Sequence, residues 1–170
     1  LVLPVSQEQG GSVTITAKVT DDTGLKSVSI DIKGPSNKTY TMSMLRASGD
    51  IFSCEFGDTF VIGNYKFTIQ AIDTSIYSNK VNKSGSFVIT EDNTPPVILY
   101  FDAEPSVQIT GEYVSIVCIV TDNVDIKKVE VTVTHPDGDR ENKTMTYRDD
   151  GKYSYKKIFS QIGKYRFKIE

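Results

Sequence analysis

The chain has little of what most enzyme sites are built from. Its 170 residues include one histidine, two cysteines and no tryptophan. A serine–histidine–aspartate relay would have to use His135, which lies in a predicted turn before Pro136. No glycine-rich phosphate loop or Cys/His metal spacing occurs, and carboxylate pairs such as Asp149-Asp150 lie in polar turns. We therefore expect no catalysis, and no cofactor other than the calcium considered below.

Charge and hydropathy exclude two further kinds of partner or location. The 19 Lys and Arg residues are interspersed with 22 Asp and Glu, for a net charge of −3 and a pI of about 5.3. Without a basic stripe, nucleic acid is not an expected partner. No apolar run reaches the roughly 20 residues that a membrane-spanning helix needs. The apolar residues are mostly Val, Ile, Tyr and Phe, which favour strands.

The main feature that is present is an internal repeat. Residues 19–28 return in similar form as residues 120–129, and residues 62–69 return as 162–169. The offset of about 100 residues is the size of one β-sandwich module. Apolar residues alternate with polar ones along most of both copies, which is the pattern of half-buried strands. We predict an all-β chain of two tandem immunoglobulin-like β-sandwich domains with about seven strands each.

The two copies begin and end at different points of the repeat. We place domain 1 at residues 1–92, with its first strand partly missing, and domain 2 at residues 93–170, with its last strand missing. The fifth strand of the second copy, with Tyr165, Phe167 and Ile169, would then have an open edge. We expect the second domain to be the less stable one, or to borrow a strand from a neighbour.

The two cysteines, Cys54 and Cys118, lie one in each copy. Because each copy contains a single cysteine, neither domain can close a disulfide of its own. We interpret both as small core side chains.

Three segments resemble the immunoglobulin-like repeat modules of archaeal and bacterial cell-surface or secreted proteins. They are residues 93–98 (NTPPVI), 120–123 (VTDN) and 162–165 (IGKY). Tyr65 and Tyr165, each at the head of a strand, are similar to the tyrosine-corner residue of such sandwiches. The absence of tryptophan and of paired cysteines separates the chain from antibody-type domains. The resemblance implies the fold and an extracellular or cell-surface location.

Acidic residues near the junction of the two copies suggest a calcium site. Glu91 and Asp92 precede the second copy, and Asp122 and Asp125 lie in the loop between its second and third strands. Calcium binds six to eight oxygen ligands, several of them carboxylates. The alternative is that these residues cap turns and solvate loops.

Three Asn-x-Ser/Thr sequons are candidate glycosylation sites: Asn37, Asn82 and Asn142. We place Asn37 and Asn142 in equivalent loops of the two copies. The alternative is a set of polar turns rich in Asn and Thr.

A short joint containing Pro95-Pro96 connects the copies. The two prolines restrict the backbone of this joint to extended conformations. We predict a non-catalytic structural or spacer module that forms a semi-rigid rod within a larger extracellular protein. Its partners would be other domains of that protein or neighbouring surface proteins. The alternatives are a carbohydrate- or protein-binding adhesion module, which would use exposed aromatics or strand edges, and an accessory domain of a secreted hydrolase.

Overall fold

A computed structural model describes all 170 residues, and every regular element is a β-strand. The chain divides into two compact units, Leu1–Asn93 and Thr94–Glu170. None of the elements is a helix of the length and hydrophobicity that a membrane crossing requires.

The first unit is a sandwich of two sheets. Its strands are β1 (Val2–Leu3), β2 (Ser6–Glu8), β3 (Val13–Lys18), β4 (Leu25–Lys33), β5 (Thr39–Ser43), β6 (Leu45–Ser48), β7 (Ile51–Phe56), β8 (Gly63–Asp73) and β9 (Lys80–Thr90). One sheet has the order β1-β3-β7-β6 and the other the order β2-β9-β8-β4-β5. All neighbours are antiparallel except β2 and β9, which run parallel.

The second unit repeats most of this arrangement. Its strands are β10 (Val97–Glu104), β11 (Tyr113–Thr121), β12 (Glu130–Thr134), β13 (Arg140–Thr144), β14 (Thr146–Tyr147), β15 (Lys152–Ile158) and β16 (Arg166–Ile169). The sheets have the orders β10-β11-β15-β14 and β13-β12-β16. The sheet β10-β11-β15-β14 corresponds to β1-β3-β7-β6 of the first unit, and β13-β12-β16 corresponds to β5-β4-β8. The prediction of an all-β chain with tandem sandwiches is confirmed.

The alternation of apolar residues builds a separate core in each unit. In β4, Val28, Ile30 and Ile32 point inward, while the residues between them face outward or are only partly covered. The same period of two buries Val131 and Val133 in β12. The two core clusters share no residue, so each sandwich buries its own apolar surface.

An aromatic cluster occupies one part of the first core. Phe87 of β9 stacks on Tyr65 of β8, with ring centroids 5.1 Å apart and an angle of 11° between the planes. The ring centroids of Phe56 and Phe67 lie 6.0 and 6.5 Å from that of Phe87. This cluster ties the last strand of the unit to both sheets.

Both cysteines are buried and free, as the sequence predicted. The Cys54 sulfur lies 3.7 Å from the Met42 sulfur, and the Cys118 sulfur lies 3.7 Å from the Met145 sulfur. Burial raises the pKa of both thiols, which disfavours the reactive thiolate.

The chain changes from one sheet to the other at Met44. The chain leaves β5 and enters β6 in the opposite sheet, and the Met44 N–H donates to the carbonyl of Val28 over 2.9 Å. Met145 makes the equivalent crossing with a 2.8 Å bond to the Val129 carbonyl. A buried methionine therefore marks the change of sheet in both units.

Candidate functional site

The pairing of β2 with β9, the last strand of the first unit, is the most distinctive feature of that unit. Chain segments Ser6–Glu8 and Val88–Thr90 run side by side in parallel. The Val88 N–H donates to the Val5 carbonyl over 3.0 Å, and the Gln9 N–H donates to the Thr90 carbonyl over 3.1 Å. We call this parallel pair the terminal clamp. Because β2 lies near the beginning of the unit and β9 near its end, the clamp joins the two ends of the unit.

The turn after β2 is anchored to the rest of the unit. The Gln9 side-chain amide donates to the Phe60 carbonyl over 2.8 Å. The hydroxyl of Thr59, which is fully buried, donates to the carbonyl of Gly11. Gly10 has a φ of 77°, a backbone conformation that glycine adopts without steric cost. These contacts fix the direction in which the chain leaves the clamp.

Each unit also contains a tyrosine corner. The Tyr65 hydroxyl donates to the Val61 carbonyl over 3.0 Å, and the Tyr165 hydroxyl donates to the Gln161 carbonyl over 3.1 Å. Each bond spans four residues and holds the loop that leads into β8 or β16. Both hydroxyls therefore make the bond expected at this position.

A polar cluster in the second unit surrounds Glu141 of β13. Its carboxylate accepts a hydrogen bond from Lys157 Nζ over 2.5 Å and lies 3.4 Å from His135 Nε2 and 3.5 Å from the Tyr155 hydroxyl. Partial burial acts to raise the pKa of Glu141. The hydrogen bond and charge of Lys157, together with His135, outweigh it and hold the pKa below its usual value.

His135 packs its ring against aromatic neighbours. Its centroid lies 5.2 Å from that of Tyr165 and 6.2 Å from that of Phe159. The first unit has Gly34 at this position. The Gly34 N–H donates to the Lys38 carbonyl, and the His135 N–H makes the equivalent turn bond to the Asp139 carbonyl. The histidine thus belongs to the packing of a turn.

The second unit has an open cleft of about 620 Å³ at one end of its sandwich. Its lining includes buried core residues and both of the loop acids predicted as calcium ligands. Asp122 and Asp125 line this cleft together with Tyr147 and Tyr153. The corresponding end of the first unit holds a smaller cavity of about 130 Å³ beside Asp21 and Asp73.

The structure assigns local roles to the two loop acids. Asp122 Oδ1 accepts the N–H of Val124 over 2.9 Å, and Asp125 Oδ1 accepts the N–H of Ile126 over 2.8 Å. Glu91 and Asp92 belong to the first unit, after β9, and Glu91 is exposed. Within either unit, no group of three or more His, Cys, Asp or Glu side chains is placed to hold a metal ion. The calcium site across the four acids stays a prediction.

The three sequon asparagines are all exposed, but Asn37 and Asn142 do not lie in equivalent loops as we expected. Asn37 lies in the turn between β4 and β5 with a φ of 63°. Asn142 lies within β13 and pairs with Thr132, so it is not equivalent to Asn37. Asn82 lies in β9 and accepts a bond from the Gln70 amide over 3.3 Å. Glycosylation at these positions stays a prediction.

Comparison with known proteins gives likenesses of structure only. No family model matches the chain, and no curated protein matches it. A tetra-tandem repeat from the extending region of a large adhesion protein aligns with 91% of this chain at 18% identity and a TM-score of 0.40, and the match spans 40% of that chain. A DUF4785 family protein from Legionella pneumophila aligns with 94% at 10% identity and a TM-score of 0.43, over 46% of its length.

A third structure, a calcium-stabilised adhesin that helps an Antarctic bacterium to reach out and bind ice, aligns with 90% of this chain at 14% identity. Its TM-score is 0.35, and the match spans 38% of that chain. The chain thus spans less than half the length of each of these three structures.

Proposed function

We propose that the chain is a non-catalytic structural module that carries tension within a larger extracellular or cell-surface protein. The observation that supports this role is the terminal clamp, the parallel pairing of β2 with β9. The tandem arrangement of two sandwiches with separate cores supports the same role, because such repeats extend a chain without a shared active centre.

The direction of the clamp strands determines how it responds to force. Inter-strand hydrogen bonds lie across the strands. When a force pulls the two ends of the unit apart, β2 is drawn one way and β9 the opposite way along a common axis. The clamp bonds are then loaded in shear and must break together. A hairpin pulled at its open end breaks its bonds one after another.

The location outside the cell is part of the proposal and rests on the resemblance of the repeat motifs to surface-protein modules. The proposed partners are other domains of the same protein or neighbouring surface proteins. Carbohydrate binding is the alternative use of the exposed aromatic residues, such as Tyr100 and Phe101 of β10. It predicts saturable binding to a glycan array, which the spacer role does not require.

Single-molecule pulling of two matched variants tests the load-bearing role. Gln9→Pro removes the N–H that donates to Thr90, whereas Gln9→Ala keeps this N–H and removes only the side-chain amide. We expect Gln9→Pro to lower the unfolding force of the first unit well below that of Gln9→Ala. Equal forces for the two variants and the wild type would contradict a load-bearing clamp.

A further inference from the structure

One sheet of the second unit, β10-β11-β15-β14, carries a regular pattern of charge on its outward side. On the central strand β11, Ile116 and Cys118 belong to the core. Successive residues of a strand point to opposite faces, so Ser115 and Val117 point outward. We call the outward side of this sheet, centred on Ser115 and Val117, the charged face. It lies on the sheet opposite to the one that contains β16.

Acidic and basic side chains of the charged face lie on opposite sides of β11. Glu104 of β10 pairs with Ser115, and Lys156 of β15 pairs with the same serine from the other side. By the same register, β10 also presents Asp102 outward and β15 presents Lys152 outward. All four charged side chains are exposed. An acidic strip therefore runs along β10 and a basic strip along β15.

The two strips do not neutralise each other within the chain. Two strand spacings, about 10 Å, separate β10 from β15, which is too far for a direct ion pair between their backbones' nearest side-chain positions. The four charged side chains of the face take part in no salt bridge. Lys156 instead places its Nζ 4.5 Å from the ring centroid of Tyr113, on the strand between the strips. Each strip is therefore free to pair with charges on another molecule.

We propose that the charged face binds the charged face of a second copy of this chain. A two-fold axis that lies in the interface and parallel to β11 places β10 of one copy opposite β15 of the other. Glu104 of each copy then faces Lys156 of the other, because both pair with Ser115 and so lie at the same level along the strands. A two-fold axis across the strands would place acid against acid, so charge selects the first arrangement. This inference rests on the proposed function, since it makes a second copy one of the neighbouring surface proteins.

The equivalent face of the first unit lacks this pattern. There β1 takes the place of β10, and its outward residue Leu3 pairs with Thr14 of the central strand β3. The strand β7, which takes the place of β15, presents the acidic Glu55 beside the same threonine. With an apolar residue on one side and an acid on the other, a two-fold axis along β3 would bring no opposite charges together. Only the face of the second unit is complementary to itself.

The size of the charged face predicts a weak contact. Four strands spaced about 4.8 Å apart, each contributing about seven residues of 3.3 Å, cover roughly 450 Å² per copy. The pair would bury about 900 Å², which is less than the roughly 1,200 Å² of stable complexes. We therefore expect a dissociation constant on the order of 0.1–1 mM for the free chain. Tethering of several copies side by side would strengthen the association without any new contact.

Charge reversal on the intact chain tests the proposal. Small-angle scattering over a concentration series up to about 1 mM measures the fraction of dimer. Glu104→Lys and Lys156→Glu should each weaken dimerisation at least about tenfold, because each change places like charges opposite each other twice in the dimer. An equimolar mixture of the two variants should recover the association of the wild type, since every pair across the axis then joins opposite charges. Added salt should weaken the association of the wild type.

Glu55→Lys and Lys18→Glu are the matched controls, because they make the same changes of net charge at exposed positions on the equivalent face of the first unit. Both should dimerise as the wild type does. The proposal is overturned if the wild type stays monomeric at about 1 mM, whether or not the face binds a glycan instead. It is also overturned if the single reversals dimerise like the wild type, or if their mixture stays monomeric. None of these outcomes bears on the terminal clamp, which the pulling experiment tests in the first unit.

Discussion

Replacing Phe87 by Ala tests whether the two sandwiches are energetically separate. The Phe87 side chain is 1% exposed and lies against the rings of Tyr65, Phe56 and Phe67 at centroid distances of 5.1, 6.0 and 6.5 Å. Truncation of a buried Phe to Ala costs about 3–5 kcal/mol, and the loss of a stacked ring pair favours the upper part of that range.

This cost should appear in the first unit only. For a unit of this size, each kcal/mol lowers the melting temperature by about 4–8 °C, so we expect a fall of more than about 12 °C. The core of the second unit shares no residue with that of the first, so its transition should move little. Hydrogen exchange read peptide by peptide during chemical denaturation separates the two transitions.

Phe60→Ala is the matched control, because Phe60 is 54% exposed and lies outside the core. It should change the free energy of unfolding by no more than about 0.5 kcal/mol. Equal shifts in both units on Phe87→Ala would mean that the chain unfolds as one cooperative body. A cost below about 1 kcal/mol would refute the role assigned to the aromatic cluster.

Four further outcomes are expected. Tyr65→Phe and Tyr165→Phe should each cost about 1 kcal/mol in denaturant unfolding, because each removes one hydroxyl bond and keeps the ring. The pKa of Glu141 is lowered in the folded state, so the stability that its carboxylate contributes is fully present above pH 4.5 and is lost as the pH falls through the folded-state pKa. Glu141→Gln should flatten this part of the pH–stability curve. Asp73→Ala should lower the midpoint of the first unit and speed exchange in the turn before β9, since its carboxylate accepts bonds from Ser75 and Asn79. If Glu91, Asp92, Asp122 and Asp125 only cap turns, melting in EDTA and in millimolar calcium should coincide, whereas a calcium site would raise the midpoint.

Much of the fold could be predicted because it depends on local pattern. The period of two in Val28, Ile30 and Ile32 identifies which face of a strand is buried, and the repeat identifies the two modules. The tyrosine corners follow from a Gly-x-Tyr segment that appears twice at the head of equivalent strands. Free, buried cysteines follow from the absence of a partner in each copy.

The terminal clamp could not be predicted from such patterns. The first strand is divided by Pro4 into two short pieces that join opposite sheets, and a piece of three residues has too little periodicity to assign. Its parallel pairing with β9 depends on contacts more than 80 residues apart in sequence. The local propensity of Ser6, Gln7 and Glu8 carries no sign of it.

Two other errors have simple causes. The equivalence of Asn37 and Asn142 was wrong because sequons were compared without the turn that precedes them. Asn37 is two residues after Pro35, whereas Asn142 is six residues after Pro136, and this count would have separated them. The polar cluster of Glu141 was missed because Lys157 reaches it from β15, and no local pattern shows that Lys157 and His135 approach the same carboxylate.

The direction of pulling provides the most direct test of the load-bearing role. Attachment at Leu1 and Asn93 loads the terminal clamp in shear, while attachment at Ile62 and Asp92 pulls β8 and β9 apart from their open end. We predict that the first geometry requires a several-fold higher unfolding force. It should release a contour length of about 30 nm for 93 residues at about 3.4 Å each. Equal forces in the two geometries would contradict the account.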